Sequence, residues 1–134
     1  MMDLLSQGTE LALKALAPLG AIALDKGLLA LPTERKRKLV RVLVRLGPHR
    51  RGGRGDLGLH WVAPSGPEEL LALVDVSRSL VWLMPREVFC QRAQPWPRGA
   101  FHLDWIVLPL GKRRSHWPQE EEWESYLVAG GDVT

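Results

Sequence analysis

Arginine and lysine side chains that could bind phosphate groups are concentrated in one stretch of this sequence. Between Arg35 and Gly55 there is no aspartate or glutamate, whereas four glutamates crowd together between Glu120 and Glu124. Guanidinium groups bind phosphate oxygens through paired hydrogen bonds, and a row of them can follow a phosphodiester backbone. We therefore predict a nucleic-acid-binding surface, for duplex or branched DNA, formed by Arg41, Arg45, Arg50, Arg51 and Arg54.

The same arginines also have a simpler interpretation, as charges that keep a sheet edge solvated and discourage aggregation. The net charge of +3 is modest, so only the uneven distribution of charge favours a polyanion. No aromatic residue lies between Arg35 and Arg54, and stacking on single-stranded bases is not predicted there. The sequence leaves both interpretations open.

His102 and Asp104 are the other pair whose spacing could do chemistry. They are two residues apart in a predicted strand, Phe101–Leu110, so both side chains lie on one face and could hold a metal ion. A third ligand at a recognisable spacing is missing, and a structural hydrogen bond between the two is the favoured interpretation. No metal site is predicted, because the remaining histidines form no ligand pattern: His49, His60 and His116.

The strand and loop that must position the arginines are predicted from periodicity. Lys38–Leu46 has a valine at every second position from Val40 to Val44, which indicates a strand with one face in the core. Its other face carries Arg41 and Arg45, about 13 Å apart along the strand. The glycine-rich segment Gly47–Gly58 is predicted to be a mobile loop whose arginines can adapt to a ligand.

The rest of the pattern predicts an α+β fold with a mixed central sheet between an N-terminal and a C-terminal helix. The most apolar segment, Glu69–Pro85, reads as a hairpin buried in the middle of that sheet. A length of 134 residues fits one domain, with a loose tail from about Gly130. The other predicted elements are a helix at Leu4–Ala17 capped by Asp3, a hairpin of Ala21–Leu24 and Leu28–Leu31, a short helix at Pro85–Arg92 and a final helix at Gln119–Val128.

The composition indicates the cellular compartment in which the protein is expected. The single cysteine, Cys90, cannot form an internal disulfide, which favours a reducing compartment. Neither a leader pattern nor a long apolar run is present, so a cytoplasmic protein without membrane contact is expected. The absence of asparagine and the many Leu, Arg, Pro and Trp residues resemble the composition of proteins from a thermophile or from a GC-rich genome.

The order of elements resembles the PD-(D/E)XK nuclease-like fold of restriction endonucleases, in particular Holliday junction resolvases and intron-associated endonucleases. Members of that family carry a glycine and a glutamate near the start of the first helix, matched here by Gly8 and Glu10. They also carry an aspartate at a hairpin, for which Asp25 is the nearest match. The resemblance implies DNA as the partner and, in active members, Mg²⁺ held by these acids to cleave phosphodiester bonds.

The family's strand triplet, an acid or glutamine followed by any residue and lysine, is matched by Leu43-Val44-Arg45. Leu43 cannot bind a cation, and Arg45 keeps its proton and cannot act as a base. The resemblance therefore implies a degenerate site that binds DNA without cleavage and without a cofactor. Two alternatives remain: a protein-interaction module or homodimer without DNA binding, and a metal-dependent endonuclease that uses Glu10, Asp25 and one further acid, with Mg²⁺ as the expected ion.

Overall fold

This computed structural model describes residues 3–51, 56–108 and 118–129, which form two β-sheets, one long and one short α-helix, and short 3-10 helices. The α+β class predicted from the sequence is confirmed. Short 3-10 helices lie at Ala17–Leu19, Pro97–Gly99 and Glu120–Tyr126. The α-helices and strands are α1 Leu4–Leu16, β1 Ile22–Asp25, β2 Leu28–Pro32, β3 Arg37–Arg45, β4 His49–Arg51, β5 Asp56–Ala63, β6 Leu70–Asp75, β7 Leu80–Pro85, α2 Arg86–Arg92, β8 Gln94–Pro95, β9 Phe101–Leu108 and β10 Leu127–Ala129.

The larger sheet has the strand order β1-β2-β3-β6-β7-β10. Strands β3 and β6 are parallel and the other neighbours are antiparallel, so the sheet is mixed, as predicted. The β6–β7 hairpin lies between β3 and β10, away from both edges. This central position follows from its apolar side chains, which are buried on both faces of the sheet.

Helix α1 covers one face of the larger sheet. Its buried residues Ala12 and Leu16 belong to the same core cluster as Val40 and Val42 of β3. Asp3 caps the helix as predicted, since its Oδ1 accepts a hydrogen bond from the backbone N–H of Ser6 at 2.7 Å. The apolar stripe of α1 therefore meets the face of β3 that the alternating pattern assigned to the core.

The second sheet, with the order β4-β5-β9-β8, covers the opposite face. Three buried tryptophans fill the space between the sheets, with the ring of Trp105 centred 5.5 Å from Trp61 and 5.1 Å from Trp82. Leu43 also lies in this core. The prediction that only one face of β3 enters a core was wrong, because a second sheet, rather than solvent, lies over the face that carries Leu43.

Two predicted segments differ from the structure. In the expected loop Gly47–Gly58, β4 pairs with the start of β5, and the register shift at Gly58 accommodates a glycine that would otherwise weaken the strand. The expected helix Gln119–Val128 is instead the 3-10 helix Glu120–Tyr126 followed by β10. Strand β10 pairs with β7, which gives the backbone of these last residues hydrogen-bond partners in the sheet.

Among the helices that the structure describes, none has the length and apolar character needed to cross a bilayer. The predicted tail from Gly130 and the centre of the expected loop, residues 52–55, lie outside the described residues.

Candidate functional site

Arg41, the first of the predicted DNA-binding arginines, is held by an internal ion pair. Its Nη2 lies 3.1 Å from Oε2 of Glu68, whose side chain is only 4% exposed. Arg86 binds the same carboxylate from the other side, with Nη2 2.9 Å from Oε1, and also donates to the carbonyl oxygens of Glu68 and Pro64. These contacts therefore hold the Arg41 side chain at the end of the two packed sheets, the sandwich, where β6 begins.

The charges of the two arginines decide the protonation of this buried acid. Burial raises the pKa of Glu68, but the hydrogen bond and charge of Arg41, together with the charge of Arg86, outweigh it and hold the pKa below its ordinary 4.5. Glu68 is thus an anion in the folded protein at neutral pH. A buried anion of this kind needs both arginines for stability, which gives Arg41 a structural role.

Arg45 lies at the opposite end of β3 and is partly exposed. Its register partner on β6 is Asp75, but that carboxylate is fully buried and occupied by Arg78 and Ser77. Arg78 also makes a bidentate pair with Glu120, at 3.0 and 2.7 Å. Because Arg78 binds both Asp75 and Glu120, Arg45 has no acidic partner in the part of the chain that the structure describes.

The ion pairs of Arg78 stabilise its own charge as well. Burial lowers the pKa of the Arg78 guanidinium, but Glu120 and Asp75 outweigh this effect and raise it above its ordinary value. A second C-terminal acid, Glu122, lies 3.3 Å from Nη2 of Arg92. The C-terminal glutamates with a described ion pair therefore contact Arg78 and Arg92, and not the arginines of β3.

The remaining predicted arginines are only partly described. The backbone of Arg50 and Arg51 lies in β4, which follows β3 after the turn at Gly47 and Pro48 and pairs with β5. Their side chains, and all of Arg54, lie outside the described residues. The backbone path therefore brings β4 to the end of β3 where Arg45 is found.

The other basic residues of the stretch lie far from Arg45. Arg35 and Arg37 are exposed at the β2–β3 turn, and Lys36 beside them pairs with Glu69 at 3.0 Å. Arg37 and Arg45 are the two ends of β3, which puts them about 26 Å apart along the strand. The continuous basic stretch of the sequence is thus divided between opposite ends of the larger sheet.

The residues suggested by the nuclease resemblance do not form a metal site in the described part of the chain. Leu43 is buried between the sheets, while Glu10 on α1 and Asp25 at the end of β1 are exposed. Oδ1 of Asp25 accepts a hydrogen bond from the backbone N–H of Lys26. Neither acid belongs to a group of three potential ligands among these residues. Gly8 packs against Val44, which explains a glycine at that position of the helix.

His102 and Asp104 lie on one face of β9, as predicted, and His60 of β5 joins them. The expectation that His60 forms no ligand pattern with other residues was wrong, because antiparallel pairing places it directly opposite Asp104. One signal in the sequence could have indicated this: Leu59 and Trp61 are apolar on either side of His60, which assigns the histidine to the outer face of the strand.

No protein-family model, curated protein or solved structure matches this chain. The resemblance to PD-(D/E)XK nucleases remains a prediction from the order of elements and a few short motifs.

Proposed function

We propose that the protein binds nucleic acid, with duplex or branched DNA as the expected form, through the end of the sandwich where β3 passes into β4. The observation that carries the proposal is the state of Arg45. Its register partner Asp75 is bound by Arg78, which also binds Glu120, so among the described residues the Arg45 guanidinium has no acidic partner that would compete with a phosphate.

The ion pairs among the described residues also change the expected surface. Arg41 contributes little to it, because its guanidinium is held by Glu68 near the end of the larger sheet where β6 begins. Arg50 and Arg51 follow Arg45 by five and six residues on a strand that starts at the same end of β3. A short cationic surface of this kind contacts the backbone of DNA without reading bases, so the proposed binding is independent of sequence.

We further propose that this binding is not followed by cleavage at the family's strand position. Leu43 packs in the core between the sheets, where an aliphatic side chain offers no oxygen to a metal ion. Glu10 and Asp25 are the acids left for the alternative of a Mg²⁺-dependent endonuclease, and nicking of plasmid or junction DNA with Mg²⁺ would support that alternative.

The test is the salt dependence of DNA binding by the full chain, measured by fluorescence anisotropy on a duplex and a four-way junction. The logarithm of the affinity falls linearly with the logarithm of the salt concentration, and every arginine that neutralises a phosphate should make this slope steeper by about 0.9. Arg45→Ala should therefore reduce the slope by about one, and replacement of Arg50, Arg51 and Arg54 together by up to about three. The reduction in affinity should be similar for different DNA sequences.

Lys14→Ala is the matched control, since it removes one exposed positive charge from α1, on the far side of the larger sheet. It should leave the slope unchanged. The proposal fails if the wild-type protein does not bind DNA at near-physiological salt, or if Arg45→Ala and Lys14→Ala have equal effects.

Light scattering on the same samples addresses the homodimer alternative. Ile22 and Leu24 are 45% and 47% exposed on β1, an edge strand of the larger sheet, and an exposed apolar edge can pair with a second copy. A mass of two chains without DNA binding would favour that alternative.

A further inference from the structure

Three potential metal ligands are neighbours on the outer face of the second sheet. His60 and Asp104 are directly opposed on the antiparallel strands β5 and β9, and His102 lies two residues from Asp104 on β9. Alternate residues of the same strands, Trp61 and Trp105, fill the core between the sheets. Packing of these tryptophans fixes the strands, so the three outward side chains are carried by a rigid support.

The ligand atoms of the three side chains also lie close to one another. One ligand atom from each residue can be chosen so that all three lie within 4.8 Å of one another. Nδ1 of His60 lies 2.7 Å from Oδ1 of Asp104, and Nδ1 of His102 lies 3.6 Å from Oδ2. Asp104 is almost fully buried, with a side chain that is 4% exposed, so its carboxylate favours nearby positive charge.

The His102 ring gives an independent reason to look for a ligand. Its Nδ1 is buried and makes no hydrogen bond with the described residues, and 3.6 Å is too long for a bond to Asp104. A buried ring nitrogen without a partner costs free energy, and such atoms are uncommon in native proteins. A cation held between His102 and Asp104 would remove that cost.

We propose that His60, His102 and Asp104 bind one divalent transition-metal ion of the zinc class. Two imidazoles and one carboxylate are a ligand set suited to Zn²⁺, Co²⁺ or Fe²⁺, and poorly suited to Mg²⁺ or Ca²⁺, which prefer oxygen ligands. This site is separate from the surface of the proposed DNA binding at Arg45 and does not depend on it.

The required rearrangement is small. In a tetrahedral site with bonds of about 2.0–2.2 Å, ligand atoms lie about 3.4 Å apart. The ion therefore enters by separating His60 from Asp104 by less than about 1 Å and drawing the most distant ligand pair together by about 1.4 Å, movements that side-chain torsions can supply.

Three protein ligands leave at least one coordination position for water or a small anion. Solvent reaches the cluster through His60, whose side chain is 29% exposed. Trp96, 45% exposed, forms one wall, with its ring centred 4.4 Å from His102 and 5.9 Å from His60. A paramagnetic ion bound here should therefore quench Trp96 fluorescence.

The test is titration of the metal-stripped, tag-free full chain with Zn²⁺ by calorimetry and with Co²⁺ by visible absorption. We expect one equivalent to bind, with a Co²⁺ spectrum typical of four or five ligands including nitrogen. His60→Gln and Asp104→Asn should each weaken binding by more than about 100-fold, since removal of a mere supporting partner of a ligand already costs 10–100-fold. Trp96→Phe should keep the stoichiometry and abolish most of the Co²⁺ quenching.

His49→Gln is the matched control, because it removes an exposed histidine of β4 that is not part of the cluster. It should bind the metal like wild type. If Asp104→Asn does not fold, the partly exposed His60 provides the decisive variant, with circular dichroism as the check on its fold. Absence of stoichiometric Zn²⁺ and Co²⁺ binding to wild type, or full affinity in a folded His60→Gln protein, would show that the cluster is only a structural hydrogen-bond network.

Discussion

Replacement of Glu68 by glutamine tests whether Arg41 is structural. The substitution keeps the shape of the side chain but removes a buried charge that Arg41 and Arg86 share. Breaking a buried ion pair from one side costs about 3–5 kcal/mol. Arg41 and Arg86 keep 32% and 18% of their side-chain exposure, so water compensates part of the loss. We expect Glu68→Gln to lower the free energy of unfolding by about 3 kcal/mol at neutral pH.

The penalty should depend on pH in one direction. The pKa of Glu68 is lowered in the folded protein from its ordinary 4.5, so its charge stabilises the fold above that value. This stabilisation is lost as the pH falls through the folded pKa, because the native protein must then bind the proton. The difference in stability between wild type and Glu68→Gln should therefore shrink as the pH falls below 4.5 and through the folded pKa of Glu68.

Urea denaturation followed by tryptophan fluorescence measures both effects, because Trp61, Trp82 and Trp105 lie in the core. Glu69→Gln is the control, since that neighbour pairs with Lys36 on the surface and such pairs contribute about 0–1 kcal/mol. Equal losses in the two variants, or a Glu68→Gln penalty that is unchanged in acid, would refute the structural role of this ion pair.

Two further predictions concern the elements that hold the larger sheet. Gly8→Ala would place a Cβ in steric conflict with Cγ2 of Val44, so we expect a loss of about 1–3 kcal/mol despite the better helix propensity of alanine. Val44→Ala in the same chain should recover part of it, and a more stable Gly8→Ala single variant would contradict the packing argument. Glu120→Gln should free Arg78 from the C-terminal segment, lowering stability by about 1–2 kcal/mol. Hydrogen exchange should become faster at Leu127–Ala129 than elsewhere, and uniform exchange would contradict a local tether.

The larger sheet was predictable because its signals are local. The alternation of Lys38–Leu46 gave the strand and its two faces, and the apolar runs of Glu69–Pro85 gave the central hairpin. The second sheet was not predictable in the same way. Its strand β4 lies in a glycine-rich segment, and its formation depends on pairing with β5, a property of tertiary structure that local propensity does not contain.

The cluster of His60, His102 and Asp104 was missed for a related reason. His102 and Asp104 are neighbours on one strand, and a period of two is enough to predict their common face. His60 is 44 residues away from Asp104 along the chain, and only the register of β5 against β9 brings their side chains together. A shift of that register by one residue would send His60 into the core side of the sheet, so the cluster could not be inferred before the pairing was known.

The arginines show the same limit, with a consequence for function. Nine basic residues between Arg35 and Arg54, with no acid among them, suggested one continuous cationic surface. The acids that determine which of these arginines are paired are distant in sequence. Glu68 binds Arg41 from 27 residues away and holds it in place, whereas Arg78 binds Asp75 and Glu120 and so leaves Arg45 without an acidic partner among the described residues. A phosphate backbone responds to charge that remains unpaired after folding. The end of the sandwich at Arg45 and β4, and not the whole length of β3, is therefore where binding of a polyanion should be sought.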